Sequence, residues 1–148
     1  MIGQWLNGEE GVGWNLFYKD VERWGWFWTK TIYEFDLLYP NPLTWQDDDG
    51  YWQPDRHESD QDLGSIPPPL RGLFAHDRFI REYIMHDSAC KHGGLWWTAD
   101  PVRTPFGFRP IKRIDADKLL RRQIEIAGGK YAQWAIYAGV RIGACFRK

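Results

Sequence analysis

Between Trp24 and Tyr39 large side chains return at every second position: Trp24, Trp26 and Trp28, then Tyr33, Phe35, Leu37 and Tyr39. Residues that recur with period two share one face of an extended strand, and rings and β-branched side chains suit a pleated surface. In a helix the same residues would lose rotamer freedom against the preceding turn. Pro40 and Pro42 end the run, since proline has no amide to give a ladder. Asp47-Asp48-Asp49-Gly50 then reads as a solvated hairpin turn with Gly50 at positive φ, and Tyr51-Trp52 as the return strand. The three adjacent aspartates lack the alternating spacing and distant glutamate of a calcium loop.

Helical signals begin later. Pro67-Pro68-Pro69 forces an extended segment, and a helix follows from about Asp77, as cap, to Lys91, stopped by Gly93-Gly94. A second helix runs from Asp115, as cap, to Gly128-Gly129, with Leu119, Leu120, Ile124 and Ala127 as its apolar stripe. The third, from about Lys130 to Ile142, is apolar nearly all round, with Gln133, Tyr137 and Arg141 as a polar row. Such a helix is buried or docks against another chain. The expected class is α+β: a small N-terminal antiparallel, aromatic-rich sheet followed by a C-terminal three-helix cluster. We expect one domain over residues 1–148, with an irregular arm at 1–23, a mainly β part at 24–66, and a mainly α part at 73–148 broken by a long loop at 95–112.

The chain has ten tryptophans and 17% aromatic residues, well above ordinary usage. Rings fill a small core, and they are also enriched at partner surfaces. The net charge of −1 hides an asymmetry, with acids concentrated up to Asp62 and bases from Val102 onward. The basic half could bind nucleic acid, pair with the acidic half, or stack copies head to tail; the near-zero net charge weighs against nucleic acid. Cys90 and Cys145 have no metal-finger or CxxC spacing and are expected reduced. The first ten residues lack the basic and apolar regions of a secretory signal, and no apolar stretch has the length of a membrane span.

Chemistry is concentrated between Asp62 and Asp87. On the first helix Phe79, Tyr83, His86 and Cys90 share one inward row, with Ile80, Ile84 and Asp87 beside it; Arg78, Arg81, Glu82, Met85, Ser88 and Ala89 mark the outward side. Asp117 falls in the row of Leu120 and Ile124, and so also faces inward. Asp62 stands in a tight turn fixed by Ser65 and Pro67. Asp62, His86, Asp87 and Asp117 therefore form a candidate metal or acid–base cluster, with His86, Asp87 and Asp117 as catalytic candidates. Mixed nitrogen and oxygen donors suit zinc, manganese or iron. A polar structural lock uses the same residues equally well, and a Ser65 nucleophile lacks the G-x-S-x-G elbow. Cys90, one turn after His86, leaves a His86/Cys90 metal pair open, although buried cysteine is more often a small apolar residue. His57 reads as solvated, His76 as a cap, and His92 as the better outside candidate. Arg103, Arg109, Lys112 and Arg113 in the long loop could grip phosphate or an acidic partner.

Four short motifs stand in order: D-L-G-S-I-P (62–67), H-D (86–87), A-D-K (116–118) and I-Y-A-G-V-R-I-G (136–143). Together they resemble a phage and prophage family of small proteins classed as a domain of unknown function, whose pattern reads D-L-A-S-I-P, H-D, A-D-R and Y-x-x-V-R-x-x-G. The resemblance spans about Phe35 to Gly143; Gly64, Pro68 and Cys90 depart from the family's usual residues. It implies family positions at Asp62, Ser65, Pro67, His86, Asp87 and Asp117, a phage origin, and virion assembly or cell-wall work. The expectation is a virion structural or assembly protein of the tail or baseplate, partnered by other virion proteins or by copies of itself. It would lie in the host cytoplasm during assembly and then in the virion. The alternatives are a metal-dependent hydrolase of peptidoglycan or phosphodiester bonds and, third, a nucleic-acid-binding accessory protein.

Overall fold

A computed structural model describes residues 3–7, 9, 14–24, 28–38, 41–55, 60–61 and 79–146. Its elements in chain order are β1 (Gln4–Trp5), β2 (Asn15–Trp24), β3 (Trp28–Asp36), β4 (Trp45–Asp47), β5 (Gly50–Gln53), β6 (Asp60–Gln61), α1 (Ile80–His92), β7 (Gly94–Thr98), β8 (Gly107–Pro110), α2 (Arg113–Ile126) and α3 (Ala132–Phe146). Strands β1-β4-β5-β7-β8 form one five-stranded sheet and β2-β3-β6 a three-stranded one, with every pairing antiparallel. The α+β class and the three C-terminal helices are as the sequence predicts.

Three expectations need correcting. The N-terminal arm is not irregular throughout, because Gln4–Trp5 pairs with Trp45–Gln46 and Asn15–Trp24 forms a long strand. The aromatic run from Trp24 onward is divided between two strands, since Trp24 pairs with Trp28. Residues 95–112 are not a long loop: β7 and β8 form a hairpin that joins the sheet after α1. Three prolines disguised it. Pro101 and Pro105 fall in the connection between the strands, and Pro110 closes β8. The Ile111 amide donates to the Gly93 carbonyl at 2.9 Å, so the alternation of the ladder puts the Pro110 nitrogen on the free edge. No ladder bond is lost there.

Helix α1 lies between the sheet and the other helices. Met85 and Ala89 pack with Trp45, Trp52 and Leu95 of the sheet and with Ala116 of α2. Phe79, Tyr83 and Ile84 pack with Phe35, Leu37, Leu43, Leu120, Ile124 and Ile136. This corrects the predicted outward side: Glu82, Met85, Ser88 and Ala89 are all buried, because the sheet covers that side. Only the arrival of β7 beside β5 closes the sheet over α1, a tertiary event that helical projection does not show. Ser88 ties the layers by accepting the Asp55 amide at 2.8 Å. Asp77, the expected cap, lies outside the described residues, and α1 begins behind Phe79 with no side-chain cap. Helix α2 starts two residues before the expected Asp115, which sits in its first turn.

Gly93 and Gly94 do different work. Gly93 ends α1 at φ 72°, with open space where a Cβ would go. Gly94 starts β7, and a Cβ there would run into the Arg109 carbonyl and come within 2.9 Å of Pro110 Cα. Gly93→Ala is expected to cost about 1 kcal/mol, the ordinary penalty for a left-handed residue with a side chain. Gly94→Ala is expected to cost about 2 kcal/mol or more, since backbone must move. Urea denaturation of the two variants checks the order.

Candidate functional site

The cluster assembles where the three helices meet. His86 is on α1, Asp117 on the first half of α2, and Arg141 on α3. Asp117 is fully buried, as its place in the Leu120–Ile124 row predicts. His86 Nε2 stands 2.6 Å from Asp117 Oδ1, and the same oxygen accepts from Arg113 Nε at 3.2 Å. The other oxygen accepts from Arg141 at 2.8 Å. One carboxylate thus binds a residue from each neighbouring helix and another from its own. Cys90 Sγ lies 3.5 Å from His86 Nε2, and Asp87 Oδ1 lies 3.9 Å from His86 Nδ1.

Charge states follow from this packing. Burial alone pulls the His86 imidazole towards its neutral form, but the Asp117 hydrogen bond outweighs it, with Asp87 and Cys90 adding to the effect. The result is a pKa well above the ordinary 6.5. Burial also acts to raise Asp117; the bonds from His86 and Arg141 and the charge of Arg113 outweigh it and hold that carboxyl below its ordinary 3.8. The cluster is therefore an imidazolium and two guanidiniums around one carboxylate, with Asp87 at the rim, its side chain 24% exposed.

A raised histidine stabilises the fold fully below its unfolded pKa, and the gain is lost as pH rises through the folded value. A depressed carboxylate stabilises above its unfolded pKa, and the gain is lost as pH falls through the folded value. The cluster's contribution should be complete between these two ordinary values, near 3.8 and 6.5, and shrink on either side. The stability excess of the wild type over His86→Gln is expected to be largest at mildly acidic pH and to shrink towards alkaline pH. An excess that stays constant across that range, in denaturant titrations, would refute the protonated histidine.

His86, Cys90 and Asp117 each offer a donor atom within 4.8 Å of the others, a set with the composition of a metal site. Its spacing and charge fit a metal poorly. Two donors each about 2.1 Å from a tetrahedral ion stand about 3.4 Å apart, whereas His86 and Asp117 are at 2.6 Å, the separation of a charge-assisted hydrogen bond. Arg113 and Arg141 would also have to leave Asp117 before a cation could take both its oxygens. As it stands, the arrangement is a polar lock.

The other predicted residues divide clearly. His86 and Asp117 meet, while Asp87 lies beside them. Asp62, Ser65 and Pro67, like His57 and His76, lie outside the described residues. His92 ends α1 and is exposed. The basic set does not converge. Arg103 is 87% exposed and pairs with Asp100. The Arg109 guanidinium lies over the rings of Trp52 and Trp97 at 5.1 and 4.8 Å. Lys112 precedes α2, and Arg113 is drawn inward to Asp117.

Arg113 and Arg141 were not placed in the cluster from the sequence alone, nor Glu82 in the core. Arg113 and Asp117 are four apart on one helix, a spacing that announces an ion pair. Arg141 is the only charged residue in the sequence of α3, and such a residue in an apolar helix must find a partner. Glu82 gave no such signal. It is buried near the start of α1, where burial pushes its carboxyl up against the opposing pull of Arg81, whose Nε is 3.1 Å away. Arg81 in turn lies over the Trp5 ring at 5.3 Å.

Among the described residues no helix is long and apolar enough to cross a membrane. Comparisons of the chain with protein-family models, with curated proteins and with solved structures find no match.

Proposed function

We propose that the chain acts by assembly rather than turnover, as a structural component of a bacteriophage virion at the tail or baseplate. The observation that carries this reading is the outward side of α3. Its sequence, AQWAIYAGVRIGACF, holds one charged residue, and that residue points inward to Asp117. What remains outside is Trp134, 58% exposed, with Ala135, Ala138 and Gly139 also exposed, and Tyr131 just ahead of the helix is 83% exposed. Arg121 lies over the Trp134 ring at 4.5 Å and Lys130 over the Tyr131 ring at 5.7 Å, so the face offers another protein aromatic contact flanked by cations. The ordered motifs from Asp62 to Gly143 and the opposed charge of the two ends support a place in a repeating assembly.

The test is mass spectrometry of virions purified from the phage or prophage that encodes the chain. The protein is expected there in stoichiometric amounts, reduced by Trp134→Glu, and its absence from intact particles rejects the reading. A metal-dependent hydrolase draws support only from the donor composition of His86, Cys90 and Asp117. Elemental analysis of the purified chain that found stoichiometric zinc, manganese or iron, lost on His86→Ala, would restore it.

A further inference from the structure

The register of the three-stranded sheet sorts charge between its two faces. Cross-strand partners share a face, and successive positions along β3 alternate between faces. Phe35 is buried in the core cluster that also holds Ile136 of α3, so its side of the sheet is the core side. The other side holds Glu34 and Asp36 of β3, Asp20 and Glu22 of β2, and Asp60 of β6. Lys30 is the one base among its paired positions.

The opposite sign stands on the helices. Lys118 and Arg121, three apart, are neighbours on α2. Arg121 lies over Trp134 and, at 6.0 Å, over Tyr137 of α3, and Lys130 lies over Tyr131. Glu125, 4.0 Å from Arg121, is the acid among them. Ile136 turns in to the Phe35 cluster, while Trp134 is exposed on the other side of α3. The acidic sheet face and the cationic helix face thus look away from each other across one core. Arg103, Arg113, Arg121 and Arg141 each take a carboxylate from their own half of the chain. Pairing of the basic half with the acidic half within one chain is not what these arginines do.

We propose that the cationic α2–α3 face of one copy receives the acidic β2–β3–β6 face of a second copy, joining copies head to tail. This rests on the assembly reading above and names the partner for it. The second copy brings the charge that the helix face calls for, with Trp24 and Trp28 paired at the end of the same sheet face. A two-fold pair through the helix face of both copies would set Lys118, Arg121 and Lys130 against themselves, and like charges opposed across an interface are costly. Because two different surfaces meet, the contact repeats into a ring or a filament.

Sedimentation velocity of the intact chain over a range of concentrations tests this. At about 50 mM NaCl, species larger than a dimer are expected, and the association constant should fall about tenfold or more by about 500 mM, because exposed charges are screened. Lys118→Glu with Lys130→Glu, and separately Asp20→Lys with Glu34→Lys, are each expected to weaken association by about tenfold or more. Mixed in equal amounts, the two variants should associate again, since the acidic face of the first meets the cationic face of the second. That recovery would also show that both are folded. Trp134→Ala, at an exposed position, should weaken association by a similar factor. A chain that stays monomeric, association indifferent to salt, or an Asp20→Lys, Glu34→Lys variant that associates like the wild type overturns the proposal. So does a mixture that stays apart while circular dichroism finds both variants folded. A monomeric chain found in virions rejects this contact and not the assembly reading; a self-associating chain missing from virions does the reverse.

Discussion

Asp117→Ala is expected to lower folding stability by about 3 kcal/mol, the low end of the 3–5 kcal/mol that follows removal of one partner from a buried ion pair. The substitution strands three positive groups at the junction of α1, α2 and α3. Arg113 and Arg141 keep a third of their side-chain surface exposed and can turn to water, which limits the cost. His86 cannot, with only 5% of its side chain exposed, and must give up its proton. Asp117→Asn, which keeps one acceptor oxygen, should fall between alanine and wild type. Denaturant titrations at mildly acidic pH read all three, and a loss for alanine under 1 kcal/mol would show that the cluster fastens nothing.

Asp47→Ala should cost nearly as much, about 2–4 kcal/mol, from a residue on the other side of α1. Its two oxygens accept the indole N–H of Trp45 at 3.2 Å and of Trp52 at 3.1 Å, and one also takes the Asp49 amide at 2.9 Å. Trp45 is fully buried and Trp52 nearly so, hence alanine leaves two orphaned donors, each worth about 1–3 kcal/mol. Asp47→Asn retains one acceptor and should lose about half as much. Thermal unfolding that places alanine and asparagine together would mean the indoles find other partners.

Asp47 also marks a limit of reading the sequence. Three consecutive aspartates before a glycine read as a solvated turn, and the turn is there, with Gly50 at φ 136°. Period two distinguishes them: Asp47 shares the face of Trp45 and is drawn into the core, while Asp48 and Asp49 stay exposed. The aspartate belongs to the strand rather than to the turn. Position along an element was legible in the same way for Asp117, since the Leu120–Ile124 row of an isolated helix survives in the fold. It failed for α1, where Glu82, Met85 and Ser88 appeared outward because projection counts one apolar stripe and α1 is covered on both sides. The β7–β8 hairpin was illegible for a further reason. Proline signals the absence of an amide, and only the pairing partner tells whether that amide was needed.

The order in which the sheet is built bears on how the chain comes to be folded. Strand β5 pairs with β4 on one side and β7 on the other, while α1 intervenes in sequence between β5 and β7. During synthesis the β4–β5 hairpin emerges early, yet one of its edges stays uncovered until about forty further residues have left the ribosome. Pairing strands across that separation is slow beside local hairpin or helix formation, because the loop-closure entropy must be met before the contacts reward it. The nascent chain thus carries the open β5 strand, with its Tyr51 and Trp52, through much of its own translation. The uncharged Tyr51-Trp52 segment is where premature association between growing chains would begin.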